Sequence, residues 1–155
     1  MQEQIKYRTK QIGLKIIKLI DELPNSQSAF AIAKQIIRSS TSIGANYRAA
    51  CRAKSTLDFL NKLKIVEEET DETIYWLEIL EESKLIKVER ISEIKNEVNE
   101  ILSIIVASIK TTKNRINRQS SIVNCQSSIV NRKSSIVNRQ SSIVNCQSSI
   151  VNRQS

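Results

Sequence analysis

The stretch that decides the fold runs from Arg38 to Leu80 and reads RSSTSIGANYRAACRAKSTLDFLNKLKIVEEETDETIYWLEIL. Its first half is basic, with Arg38, Arg48, Arg52 and Lys54. Its second half is acidic, with Glu67, Glu68, Glu69, Asp71 and Glu72. Apolar residues recur through both halves at the three- and four-residue spacing of helices that bury one face. Between the halves, Ser55 followed by Asp58 reads as the start of a capped helix. The stretch therefore predicts two consecutive helices, from about Ala29 to Arg52 and from Ser55 to near Ser83. The apolar stripe of the first is Phe30, Ala33, Ile36 or Ile37, Ser40, Ile43, Tyr47 and Ala50. Small residues around it (Ser39, Ser42, Gly44, Ala45, Ala49) predict a close helix crossing, which would offset the ~1 kcal/mol that Gly44 costs inside a helix. The stripe of the second is Leu57, Leu60, Leu63, Val66, Thr70, Ile74, Leu77 and Leu80.

Upstream, Ile5, Ile12, Ile16, Leu19, Ile20 and Leu23 share one face of a further helix, from about Ile5 to Leu23. Pro24 ends it, because a residue before proline is biased away from the α region. The polar turn that follows offers Ser26 or Ser28 as N-cap, and so short a connection implies an antiparallel neighbour. Downstream, a link at Leu85 to Val88 leads into a fourth helix over about Glu89 to Lys110. It points Ile91, Ile94, Val98, Ile101, Leu102, Ile105 and Ile109 inward, and Lys110, Lys113 and Arg115 suit the negative pole of its dipole. The expected fold is all-α, an antiparallel up-down four-helix bundle over residues 1–116.

From Asn117 the chain becomes a seven-residue repeat, NRQSSIV NCQSSIV NRKSSIV NRQSSIV NCQSSIV NRQS. Adjacent Ile and Val do not make the a and d seam of a coiled coil. Ser and Asn fill most other positions, so residues 117–155 are expected to be a disordered, repetitive tail. A β-prone, self-associating tail is the alternative, because each Ser-Ser-Ile-Val core is uncharged.

Composition narrows the chemistry. Two Gly and one Pro leave little for the turns of an all-β fold. No apolar run approaches the ~20 residues that span a bilayer, and the first residues lack the apolar core of a secretory signal. The expectation is a soluble, cytoplasmic protein with no membrane partner. Of the formal +8, residues 1–116 carry +3 and residues 117–155 carry +5 with no acid at all. The folded part is thus only mildly basic overall, which weakens a nucleic-acid reading based on charge alone.

With no histidine, the chain lacks the commonest general base and metal ligand. Glu68 and Glu72 lie four apart as bundle metal ligands can, but such sites also need Glu-x-x-His motifs, and a solvated or ion-paired face fits better. Pairing with the arginines of the preceding helix, within one chain or across a subunit interface, is the more useful reading. Cys51 lies between Arg48 and Arg52 but has no base beside it, so a packed thiol fits better than a nucleophile. Cys125 and Cys146 read as exposed thiols of the repeat. Tyr75 or Trp76 could stack on a base, though packing explains both as well. No catalytic residue, metal or cofactor is expected, and the chain is not expected to be an enzyme. Arg38, Arg48, Arg52, Lys54, Lys62 and Lys64 are the candidates for phosphate contact.

The segment SSTSIGANYRAACRAKSTLDFLNKLKIVEEETDETIYWLEIL resembles the four-helix-bundle family of the 23S ribosomal RNA intervening-sequence proteins. The resemblance rests on Arg38, Ser39, Ser42, Ile43 and Asn46, then Phe59, Leu60 and Glu72, and covers about residues 5–110. One departure is Ala49, where related sequences often carry Glu; an ion-pair network using that Glu is altered here. The resemblance implies an up-down four-helix bundle, and the flat Ser/Ala face and segregated charges point to assembly with other copies. A related branch, the accessory proteins of diversity-generating retroelements, forms homopentamers that bind nucleic acid and a reverse transcriptase. On that footing Ser42, Ile43, Asn46, Phe59, Glu68 and Glu72 are structural or interface candidates. The expected partners are other copies of the chain, in a pentamer if the related branch is followed, together with RNA or DNA and a protein such as a reverse transcriptase. The function expected is a non-enzymatic, oligomeric nucleic-acid-binding or scaffolding protein. The alternative is an interaction module that docks a partner enzyme.

Overall fold

Four helices follow in order, α1 (Gln2–Ile20), α2 (Gln27–Ala50), α3 (Thr56–Glu82) and α4 (Val88–Val151). The computed structural model describes the backbone of residues 2–151 and the side chains of residues 2–142, and no strand occurs among them. The helix starts obey local chemistry. Ser26 is extended (φ −130°, ψ 157°) and its hydroxyl accepts the Ala29 N–H, so Ser26 rather than Ser28 is the N-cap of α2. At α3 the Asp58 N–H donates to the Ser55 hydroxyl at 3.1 Å. The Asp58 carboxylate accepts the Lys54 N–H at 3.0 Å, which closes the capping box one residue before the cap itself. Helix α1 stops before the expected Leu23, since Glu22 and Leu23 donate to the carbonyls of Leu19 and Ile20, three residues back, and tighten the last turn.

Past Ser83, which caps the C-terminus of α3, Lys84 takes φ 55°. A side chain in this left-handed conformation costs roughly 1–2 kcal/mol that glycine avoids. Lys84→Gly is expected to raise stability by about 0.5–1 kcal/mol, read as a higher urea midpoint at unchanged slope.

The chain divides into two units, Met1–Lys113 and Asn114–Ser155. The first is the bundle. Thr73 of α3 donates to Ser39 of α2 at 3.0 Å, and Arg38 of α2 donates to Glu72 of α3. Gly13 of α1 faces Ser40 and Thr41, while Gly44 of α2 faces Thr9. Arg8 of α1 reaches Glu97 and Glu100 of α4, Lys15 reaches Glu93, and Glu22 pairs with Arg90. Lys95 of α4 pairs with Glu78 and Glu81 of α3. Between α1 and α2 and between α1 and α4, numbers rise along one helix as they fall along the other, so α1 is antiparallel to both and α4 closes back on it. This is the expected up-down arrangement.

Between the helices lie Ile12 and Ile16 of α1, Ile36 and Ile43 of α2, Leu63, Val66, Leu77 and Leu80 of α3, and Ile91, Val98, Ile101 and Ile105 of α4, all fully buried. The close crossing expected around Gly44 is present: a Cβ there would lie 3.5 Å from the Thr9 hydroxyl and 3.7 Å from the Thr9 backbone. Expectations about the core need correction, since Ile20, Leu23 and Ala33 are only half-buried. Phe30 is 73 % exposed and Leu57 60 % exposed. Both sit in the first turn of their helices, which ends the facing surface before the periodicity does. On α3, Thr73 rather than Ile74 is fully buried, its hydroxyl satisfied by the Glu69 carbonyl and by Ser39. Leu102 is half-buried where the pattern points it inward.

In the second unit, where disorder is expected, the backbone continues as helix to Val151. Neither Gly nor Pro interrupts residues 114–151, and repeat serines donate to carbonyls three or four residues back, as Ser127 does to Val123 and Ser128 to Cys125. Every described side chain from Asn117 to Ser142 is exposed, the Ile-Val pairs included. Cys125 is a free, exposed thiol, as read, while the expectation for Cys146 falls outside the described side chains.

Candidate nucleic-acid interface

The antiparallel register sorts charge along the bundle. One end collects the start of α1, the end of α2, the α2–α3 turn, the start of α3 and residues 97–113 of α4, whose Glu97 and Glu100 hold Arg8. Over residues 2–12, 42–66 and 97–113 this end carries ten Lys and Arg against Glu3, Asp58, Glu97 and Glu100, a formal +6. The remainder of the first unit carries the other twelve acids and is net negative. A unit that is almost neutral in total is therefore strongly dipolar, which no sum over the chain reveals.

The six phosphate candidates separate under this geometry. Arg48, Arg52, Lys54 and Lys64 are exposed at the basic end, and no carboxylate among the described residues lies within 4.0 Å of their charged nitrogens. Lys62 is at the same end but pairs with Asp58 at 3.2 Å, one helical turn back. Arg38 stands ten residues before Arg48, roughly 15 Å along α2. It grips Glu72 through hydrogen bonds of 2.5 and 2.7 Å and lies 3.8 Å from Glu69. Its charge is already engaged with the acidic run, within the chain rather than across subunits.

Sequence periodicity did not single out the partners that α1 supplies. Glu3, Lys6, Tyr7 and Lys10 join Arg48 and Arg52 in lining a surface depression of about 440 Å³. Glu3 holds Lys6 at 2.7 Å, and that bond keeps its own carboxyl below the usual range. An adjoining groove of about 320 Å³ shares Lys10 and Arg48 and is floored by Gly13, Leu14, Gly44 and Ala45. The signal available in the sequence was the Lys6, Lys10 spacing on the polar side of α1; what was missing was knowledge of which α2 residues stand opposite.

The interface candidates fall mostly in the α2–α3 seam. Ile43 is fully buried. Asn46 is half-buried and donates to the Ser42 carbonyl at 3.0 Å, which satisfies an amide beside the apolar stripe. Phe59 is half-buried and Glu68 exposed. Glu72 bridges Arg38 and the Trp76 indole N–H, the latter at 3.2 Å. Trp76 also meets Tyr75 edge-on with ring centroids 5.1 Å apart. Cys51 is a half-buried free thiol beside Tyr47, whose phenol is pushed up to about 12 by burial. Among the described residues no cluster of three or more metal-ligating side chains occurs, and no helix is long and apolar enough to cross a membrane.

Glu69 and Glu72 face the same arginine with opposite consequences. The Glu69 side chain is only 17 % exposed and its Oε2 is buried without a hydrogen-bond partner. Burial pushes its carboxyl up. The hydrogen bond from Arg38 holds Glu72 down. Glu69 therefore contributes stability below the ordinary carboxylate range and loses it as pH rises through its raised pKa. The contribution of Glu72 is present above that range and is lost as pH falls through its depressed pKa. Glu69→Gln is expected to be more stable than the parent at neutral pH, by about 1 kcal/mol, and Glu72→Gln less stable. Both differences should shrink on acidification; chemical unfolding at neutral and mildly acidic pH checks the two signs.

A family model described as 23S rRNA-intervening sequence protein matches residues 2–107, which is the bundle. The chain belongs to the 23S rRNA-intervening sequence protein family. The crystal structure of a protein of unknown function from the S23 ribosomal protein family of Bacteroides thetaiotaomicron is 42% identical to this chain. The match covers 68% of this chain and 98% of that one, with a TM-score of 0.64. No curated protein matches closely enough to count as a relative. The family match leaves the repeat outside its limits, so the shared feature of the 23S rRNA-intervening sequence proteins in this chain is the bundle alone.

Proposed function

We propose that the protein is a non-enzymatic, oligomeric nucleic-acid-binding or scaffolding protein that holds phosphates at the basic end of its bundle. The observation that carries this reading is the +6 end, where Lys10, Arg48 and Arg52 line one depression and no carboxylate among the described residues lies within 4.0 Å of their charged nitrogens. Charge-assisted contacts of this kind fix a backbone without reading bases. Membership in a family described by its link to 23S rRNA is in keeping with it. Exposed Phe30 and Leu57 supply apolar surface for contact between copies.

The test is a salt titration of binding to RNA and to DNA with the full chain. Two variants accompany it, one with Arg48 and Arg52 reversed and one with the tail's five Lys and Arg replaced by Gln. Steep salt dependence that survives the tail variant and collapses in the bundle variant supports the reading. Binding lost only with the tail charges overturns it. A second reading is favoured by the outer face of α3, where Glu68, Asp71, Tyr75 and Glu78 are exposed together. That face would dock a basic protein partner, and charge reversal there would abolish the contact without changing RNA affinity.

A further inference from the structure

We infer that the basic end takes single-stranded nucleic acid in preference to duplex, with the ring of Tyr7 as a stacking platform for an unpaired base. This rests on the proposed phosphate-binding role and makes it specific. Tyr7 is 64 % exposed on α1, which gives no account of it as core. It lies in the depression lined by Glu3, Lys6, Lys10, Arg48 and Arg52, four cations against one carboxylate. An exposed aromatic among cations is the pairing by which proteins hold single strands: charge follows the backbone and the ring receives a base, whichever base it is. Neither feature alone would point to that ligand.

The arrangement of the two concavities adds direction. Lys10 and Arg48 line both the depression containing Tyr7 and the adjoining groove over Gly13, Leu14, Gly44 and Ala45. The two cations thus stand between an aromatic surface and an apolar one. A phosphate on Lys10 and Arg48 would have a base site to either side, one on Tyr7 and one in the groove. Gly44 and Ala45 line the α2 side of that groove with small residues. A duplex has its bases stacked inside and could offer only its phosphates to the same cations. Affinity for the duplex would come from charge alone, whereas affinity for the single strand would add the stacking term.

The experiment compares the full chain with Tyr7→Ala and Tyr7→Trp, using a single-stranded RNA of about 12 nucleotides and the blunt duplex of the same sequence. Tyr7→Ala is expected to weaken single-strand binding about tenfold and to leave duplex binding unchanged, while Tyr7→Trp retains or strengthens it. Because Tyr7 is exposed, the fold should survive both changes, and circular dichroism verifies that. Equal effects on single strand and duplex, or no effect on either, would overturn the role of Tyr7. If Tyr7→Ala is silent while reversal of Arg48 and Arg52 abolishes binding, the phosphate-binding function stands and this inference falls. If the parent binds the duplex but no single strand, the phosphate-binding function stands and this inference falls; if it binds neither, both fall.

Discussion

Reversing Arg48 and Arg52 together to Glu should lower the affinity of the full chain for single-stranded RNA by one to two orders of magnitude at low salt. Both guanidinium groups face the depression shared with Lys6 and Lys10, and neither has a carboxylate within 4.0 Å among the described residues. No internal ion pair would be lost, so the change acts on the ligand rather than on the fold. Each phosphate neutralised contributes a slope of about −0.7 to the dependence of log affinity on log salt for a single strand. Removing two contacts should therefore flatten that slope by more than 1. The matching control is Arg38→Glu. Arg38 is bound to Glu72, so its reversal should disturb stability through the α2–α3 seam and leave the salt slope of RNA binding unchanged. A slope that falls equally in both variants would mean that binding follows net charge, with no site at the basic end.

The second large effect concerns the core. Ile43→Ala should destabilise the bundle by about 2–5 kcal/mol, the range for truncating a fully buried isoleucine whose surroundings cannot collapse around the gap. Ile43 has no solvent exposure, and its helix is clamped on one side by Thr9 against Gly44 and on the other by Ser39 against Thr73. Those contacts leave the helix little freedom to move inward. Against a total of about 5–15 kcal/mol for a domain of this kind, such a loss would unfold a sizeable fraction of the protein near physiological temperature. Phe30→Ala is the contrast. The same helical stripe contains it, but its exposure places it outside the core, so the expected change is within about 0.5 kcal/mol. Urea unfolding at several protein concentrations decides between them. A concentration-dependent loss in Phe30→Ala alone would mark that residue as a contact between copies.

Much of this molecule is local chemistry. The 3.6-residue spacing of Ile12, Ile16 and Leu19, of Ile36 and Ile43, of Leu63, Val66, Leu77 and Leu80, and of Ile91, Val98, Ile101 and Ile105 already defines four buried stripes. Ser26 and Ser55 mark helix starts because a hydroxyl can satisfy an N–H that the first turn leaves free. Short connections between stripes of matching length leave an antiparallel bundle as the economical way to bury them. All of that was legible in one dimension.

Which charges matter was decided only by the tertiary register. Arg38 and Arg48 are equivalent in sequence, each an arginine on the polar side of one helix. Folding sets Arg38 against Glu69 and Glu72 of α3 and sets Arg48 beside Lys6, Tyr7 and Lys10 of α1, a helix nearly forty residues away in the chain. Periodicity says which face of a helix is polar, but not which neighbour supplies the opposite charge; that depends on how far one helix slides along the next. Phe30 and Leu57 carry the same lesson for the core, since a stripe is buried only as far as its neighbour extends. The sequence by itself determined four helices and their inner faces. The packing decided that their charges divide into a basic end and an acidic remainder, because antiparallel pairing brings distant segments of like charge to the same height.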